Sequence, residues 1–210
     1  MRALYTAATG MQAMQTKLDV IANNLANVNT NGFKKDRANF EDLFYDHITL
    51  PGNRDAAGNL TPTGTEVGLG VRVSSTQTDF TQGAFTTTDR QLDLLIEGEG
   101  FFQLADPSGE IVYSRAGNFS VNSNGQVVQG SASIGRPIQP AITIPQDATA
   151  VEVSTDGIVS VRQPGSNTLN EVGQIQLATF INPEGLLKLG ENLFAETGAS
   201  SAPITGNPQT

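Results

Sequence analysis

The stretch LYTAATGMQAMQTKLDVIANNLANVNTNGF, residues 4–33, governs how the rest of the chain is read. Along it Leu4, Met11, Leu18 and Leu25 recur at one heptad position, and Ala7, Met14, Ile21 and Val28 at a second. At 3.6 residues per turn these eight residues fall in a narrow apolar stripe on one face of a single helix, roughly 40 Å long at 1.5 Å per residue. Such a stripe calls for a partner that takes it out of water. Ala3, Ala8, Ala13, Ala22 and Ala26 keep helix propensity high and let neighbouring backbones come close. Gly10 costs about 1 kcal/mol of that propensity, so tight packing or a local bend is its expected compensation.

The helix is expected to end between Val28 and Asn31. Asn23, Asn24, Asn27 and Asn29 compete with the backbone for hydrogen bonds, and Asn31-Gly32 supplies a left-handed stop. Lys34, Lys35 and Arg37 follow, suited to the negative end of the helix dipole. Phe40, Leu43, Phe44 and Ile48 are spaced as in a second amphipathic segment, which predicts a brief helix or an irregular extension over residues 39–48.

Residues 51–70 hold Pro51-Gly52, Ala57-Gly58-Asn59, Pro62-Thr63-Gly64 and Gly68-Leu69-Gly70, a density of turn signals that predicts an extended loop or a long hairpin. A loop of that length within a domain points to a contact function, with a disordered insertion as the competing reading.

From Val71 the period falls to two. Val71, Val73 and Ser75 alternate with Arg72 and Ser74, and Leu92–Glu97, Phe101–Leu104, Ile111–Ser114, Phe119–Val121 and Gln126–Gln129 are short segments between turns. Asn124-Gly125 and Asp156-Gly157 are hairpin connections. Ile175, Leu177, Thr179 and Ile181 predict a half-buried strand with those four residues inward. Pro137, Pro140 and Pro145 predict edge or connecting segments around residues 134–146. The fold class that results is mainly β, an antiparallel body with a long N-terminal helix. Its expected divisions are residues 1–33 for the helix and its stop, 34–70 for a linker and glycine-rich extension, 71–195 for the body and 196–210 for a polar tail.

The chemistry of the chain excludes most active sites. Among 210 residues there is no cysteine and one histidine, His47, which removes thiol chemistry and any site needing two imidazoles. Glu97 and Glu99 are paired carboxylates with no convergent third group. Asp147 and Asp156 read as turn residues, and Ser108 and Ser120 lack a base. No enzyme, cofactor or metal site is expected. The net charge of −9 argues against nucleic acid, and no stretch reaches the apolar length of a membrane span or resembles a cleaved signal peptide. Charge is uneven, since residues 1–40 carry five basic and two acidic residues. A carbohydrate-binding or adhesive β module would need an exposed aromatic platform, whereas Phe101, Phe102 and Phe119 read as core.

These features resemble the flagellar rod, hook and hook-associated protein family. The resemblance rests on Leu18 through Lys34, containing Asn23, Asn24, Asn27, Asn29, Thr30, Gly32 and Phe33. It continues in Phe40-Glu41-Asp42-Leu43, Pro62-Thr63-Gly64, Val67-Gly68-Leu69-Gly70-Val71, Phe80-Thr81-Gln82-Gly83, Gly98-Glu99-Gly100-Phe101-Phe102-Gln103 and Tyr113-Ser114-Arg115-Ala116-Gly117-Asn118-Phe119. The match lies nearest the members that build the distal rod, with proximal-rod and hook members as the alternative. The resemblance implies type III export to the periplasm, polymerisation of many copies into a hollow shaft, and torque transmission from motor to hook. It also implies other rod subunits, the hook protein, the P-ring and L-ring proteins, a rod cap and the export apparatus as partners. By the same resemblance the Leu4–Val28 stripe is a tube-packing face, paired in the family with a C-terminal helix. Residues 51–70, with Pro62, Thr63, Gly64, Val67, Gly68 and Gly70, correspond to an extension between subunits. After Leu193-Phe194-Ala195 the sequence turns polar, with Pro203, Gly206 and Pro208, so no terminal amphipathic helix is expected within these residues.

Overall fold

The sharpest boundary in the fold is one of hydrophobic burial. The computed structural model describes residues 2–54, 60, 62–133, 135–165 and 168–208, which places Ala57-Gly58-Asn59 of the glycine-rich stretch outside the described residues. The chain divides into two compact units, Met1–Val28 with Lys35–Asp79, and Asn29–Lys34 with Phe80–Thr210. In the first unit Ala13 alone, among the described residues, is a buried hydrophobic; the other buried hydrophobic side chains all belong to the second.

The first unit comprises α1 (Arg2–Ala26), β1 (Asp36–Asp42), β2 (Tyr45–Thr49), β3 (Thr65–Gly68) and β4 (Val71–Thr78). β1 and β4 pair antiparallel from Asp36↔Thr78 to Asp42↔Val71, with a bulge at Asn39/Phe40. β2 and β3 form a second ribbon from Tyr45↔Gly68 to Thr49↔Thr65. The short helix or irregular extension expected over 39–48 is therefore corrected to two strands. Tyr45, Ile48 and Thr49 favour extended backbone, and pairing across the ribbons outweighs a helical spacing of four apolar residues. Within residues 51–70, expected as an extended loop or a long hairpin, Thr65–Gly68 pairs with β2 and Arg54 forms a bridge with Leu60.

The second unit comprises β5 (Phe101–Ala105), β6 (Ile111–Ser114), β7 (Phe119–Val121), β8 (Val127–Gln129), β9 (Arg136–Gln139), β10 (Ala150–Val153), β11 (Ile158–Arg162), β12 (Leu169–Gln174), β13 (Leu177–Thr179), β14 (Leu187–Gly190), β15 (Leu193–Ala195) and β16 (Ile204–Gly206), with a 3-10 turn at Pro183–Gly185. The larger sheet runs β14-β15-β6-β5-β9-β8-β7, and β13 pairs with both β5 and β16. A smaller sheet runs β10-β11-β12. The two predicted hairpins are β7–β8 and β10–β11, with Gly125 and Gly157 at φ +81 and +75.

β5 organises the core because both of its faces are covered. Phe102 and Leu104 join Phe119, Ile138, Ile142, Val159, Val161 and Ile175 in one cluster. Phe101 joins Tyr113, Phe180 and Phe194 in another, with ring centroids 5.6 Å apart for Phe101–Phe180 and 5.9 Å for Phe101–Phe194. Phe101, Phe102 and Phe119 are thus core residues rather than a platform.

Three expectations are corrected in this unit. β9 is an interior strand although it contains Pro137. It pairs with β8 through Arg136 and Pro137 and with β5 through Ile138 and Gln139, so the proline lies past the β5 ladder. The single strand expected over 175–181 is broken, and beyond Ile175 its inward residues are Ala178 and Phe180 while Ile181 is exposed. Leu92–Glu97 forms one isolated bridge, Asp93↔Asn118, instead of a ladder. The Leu94 N–H donates to the Gly117 carbonyl at 2.8 Å, an approach so close that a Cβ on Gly117 would sit 1.6 Å from the Leu94 carbonyl oxygen.

Arg136, at the head of β9, is held on both sides. Its Nε donates to Asp106 Oδ1 at 2.8 Å and its Nη1 to Glu191 Oε2 at 2.6 Å. The polar tail holds one strand that sequence reasoning missed, β16, whose signal is the single β-branched pair Ile204-Thr205.

Candidate assembly surface

α1 has two faces of opposite character. The face packed on β1 and β4 carries Thr6, Thr9, Ala13, Thr16 and Asn24, which are small or polar, together with Val20, all partly or fully buried. The apolar stripe lies elsewhere on the helix and stays in water. Leu4 is 71% exposed, Met11 69%, Met14 60%, Leu18 65%, Ile21 50%, Leu25 70% and Val28 70%, and Ala7 is exposed beside them. The helix is therefore seated by its weaker face, while its hydrophobic one is left uncovered. Among the described residues nothing stands within 4 Å of a Cβ built on Gly10, so of the two compensations expected there, tight packing or a local bend, the first is not formed.

Specific polar contacts set the helix seat. Asn24 Nδ2 donates to the Asp36 carbonyl at 2.8 Å, and the Asp36 N–H donates to Asn24 Oδ1 at 3.0 Å. Near the other end the Val71 N–H lies 3.4 Å from Thr9 Oγ1 as donor to it. Gly70, at φ +122, makes that approach possible, because a Cβ there would meet Thr9 Oγ1 at 2.3 Å.

The asparagine-rich run serves two different units. Asn23 accepts hydrogen bonds at its carbonyl from the Asn27 N–H and Nδ2, at 3.1 and 3.0 Å, closing the last turn of α1. Asn29 and Thr30 are exposed, and the Thr30 carbonyl accepts from the Phe33 N–H at 3.2 Å. Gly32, at φ +73, packs so tightly that a Cβ would lie 2.8 Å from Ala116 Cα. Asn192 Nδ2 donates to the Asn31 carbonyl at 3.0 Å, and the Lys188 ammonium lies 5.7 Å from the Phe33 ring centroid. The turn Asn29–Lys34 is thus part of the second unit, held there by backbone and ring contacts that the spacing of asparagines does not announce.

The β2–β3 ribbon exposes a second apolar set. Phe44 is 87% exposed, Ile48 65% and Val67 45%. His47 Nδ1 faces Glu66 Oε1 at 3.1 Å across the ribbon. Pro62 and Thr63 are exposed, Gly68 is half-buried, and Gly64 passes so close to the partner strand that a Cβ would meet the Thr49 carbonyl oxygen at 2.4 Å.

Among the described residues no group of three or more His, Cys, Asp or Glu could hold a metal ion, and no described helix is long and apolar enough to cross a membrane. Glu97 and Glu99 lie on exposed backbone before β5.

Comparison with known proteins matches residues 4–34 to the family described as flagella basal body rod protein, and residues 95–161 to the flagellar hook protein FlgE/F/G D1 domain. The flagellar basal-body rod protein FlgG of Caulobacter vibrioides is 48% identical over 209 residues, covering 99% of this chain and 79% of the relative. The protein of the same name from Borreliella burgdorferi is 44% identical over 210 residues, with 78% of the relative covered. The flagellar hook protein FlgE of Borreliella burgdorferi is 45% identical over 129 residues, or 61% of this chain and 28% of the relative. Identity that spans both units and most of each rod relative leads to one assignment: this chain belongs to the flagellar basal-body rod protein family.

Proposed function

We propose that the chain is a structural subunit of the distal flagellar rod, polymerising with copies of itself into a hollow shaft that carries torque from motor to hook. The observation that carries this reading is the uncovered stripe on α1. Leu4, Ala7, Met11, Met14, Leu18, Ile21, Leu25 and Val28 serve as its packing face toward neighbouring subunits in the tube. Association removes them from water, and at about 25 cal/mol per Å² of apolar surface such a stripe repeated along a polymer drives assembly. The body residues widen the contact, and the β2–β3 ribbon with Pro62, Thr63, Gly64, Val67, Gly68 and Gly70 reaches between subunits. Residues 1–33 then act as the inner-tube element, 34–70 as linker and extension, 71–195 as the body, and 196–210 as a polar segment on it.

In this reading the subunit lies in the basal body after export to the periplasm without a cleaved signal. Other rod subunits, the hook protein, the P-ring and L-ring proteins, the rod cap and the export apparatus are its partners. The test is sedimentation and electron microscopy of the purified chain beside Leu18→Asp. Concentration-dependent association in the parent and its loss in the variant is the expected result; equal association in both overturns the role of the stripe.

A further inference from the structure

Within the second unit a cavity of about 360 Å³ is walled by Phe80, Phe101, Phe180 and Pro183, with Arg115 on its lining. The Arg115 guanidinium lies over the Phe101 ring, 5.6 Å from its centroid. Of its five N–H donors, one hydrogen bond is formed among the described residues, from Nη2 to the Gly98 carbonyl. Burial lowers the pKa of this guanidinium from its ordinary value, with the Glu99 charge acting in the opposite sense. An aromatic box with a desolvated cation holding spare donors fits an aromatic side chain that has a carboxylate beside it.

The chain itself carries that combination. Phe44 is the most exposed large hydrophobic side chain among those described, at 87%, and it stands between Asp42 and Asp46 in sequence. Its surroundings are already ordered: the Leu43 N–H donates to the Gly70 carbonyl at 2.9 Å, and the Leu69 N–H to the Phe44 carbonyl at 3.1 Å. A ring held in water by fixed backbone loses little conformational freedom on docking.

We propose that Phe44 of one copy seats in the Phe80–Phe101–Phe180 cavity of a second copy, with Asp46 of the first exchanging its exposed ion pair with Arg2 for one with Arg115 of the second. This rests on the assembly reading above and adds one specific joint to it. Knob and hole are built from different residues, so the contact is heterologous and leaves a free knob and a free hole after every addition. Such a contact propagates as an open helix unless its rotation closes a ring.

The absence of cysteine makes the joint directly measurable. Two differently tagged variants that keep the Phe44 ring, Tyr45→Cys beside the knob and Thr81→Cys at the cavity rim, are mixed under mild oxidant at a concentration where the parent associates, beside a Tyr45→Cys and Ser123→Cys control. The expected result is a mixed disulfide dimer enriched at least about tenfold over the control, as for a localised anchor contact. Crosslinking at the control rate overturns the joint. If tubes nevertheless form, the assembly reading survives that outcome; if no association occurs by sedimentation, both fall. Phe44→Ala supplies a second reading, because an exposed ring can be removed without emptying a core. It is expected to raise the concentration needed for assembly about tenfold or more with the melting temperature unchanged, and an unaltered assembly concentration overturns the proposal.

Discussion

The Asn24 carboxamide and the Asp36 backbone face each other as two strands of a sheet would, one N–H and one carbonyl exchanged in each direction, at 2.8 and 3.0 Å. A side chain near the end of α1 thereby receives the first residue of β1 as a peptide group would. Asn24→Ala leaves both backbone groups of Asp36 without these partners in a half-buried place, at a local cost of about 1–3 kcal/mol. Hydrogen exchange at Asp36 and along the last turn of α1 is expected to quicken, while the second unit keeps its protection. Uniform loss of protection across the chain would contradict this.

Leu18→Asp separates assembly from folding. Leu18 is 65% exposed, so the substitution empties no core and is expected to change monomer stability by no more than about 0.5 kcal/mol. In the associated state the carboxylate would be buried in the stripe, and association should weaken by a far larger factor. Sedimentation paired with thermal melting reads the two effects independently.

Gly10→Ala is expected to stabilise α1. The glycine lies inside the helix with open space where a methyl would go, so the propensity gain of about 0.8–1.0 kcal/mol is not offset by a clash. Exchange of the α1 amides should slow about fivefold by local opening. No slowing would mean that the helix opens together with the ribbons beneath it.

The Arg136 guanidinium gives the acid limb of stability a definite sign. Its hydrogen bond holds the Asp106 carboxyl below its ordinary pKa, assisted by the Ser108 hydroxyl and N–H and opposed by burial. A carboxyl depressed in the folded state contributes fully above its unfolded pKa and loses that contribution as pH falls through the folded value. Arg136→Met should therefore lower the melting temperature near neutral pH, with the gap to the parent shrinking below the ordinary aspartate range. Calorimetry from neutral to strongly acid pH tests this; a gap independent of pH would assign Arg136 to packing alone.

Local signals made much of the fold readable. The heptad stripe located α1, and Asn124-Gly125 and Asp156-Gly157 located two hairpins, because each depends on residues adjacent in sequence. The errors came where distant backbone decides. Phe40 and Phe44 are spaced for a helix, yet β4 and β3 draw their neighbourhoods into ribbons. Pro137 is tolerated inside a sheet because its neighbours divide β9 between them. Of the assembly surface, the stripe was legible as a pattern. That α1 would rest on its threonine, alanine and asparagine face was not, since it depends on where Gly70 and Asp36 bring β4 and β1.

Because the first unit keeps its apolar side chains in water while folded, unfolding it exposes little that was hidden, and its thermal signature is correspondingly faint. The heat-capacity increment of the monomer should resemble that of the second unit's residues, on the order of 140 in number, near 1.7–2.1 kcal/mol/K instead of the roughly 2.5–3.2 of an evenly cored chain this long. If the stripe packs between subunits as proposed, the missing increment is released there. Cooling, which weakens apolar association before it weakens a packed interior, should then act on the shaft more than on the subunit.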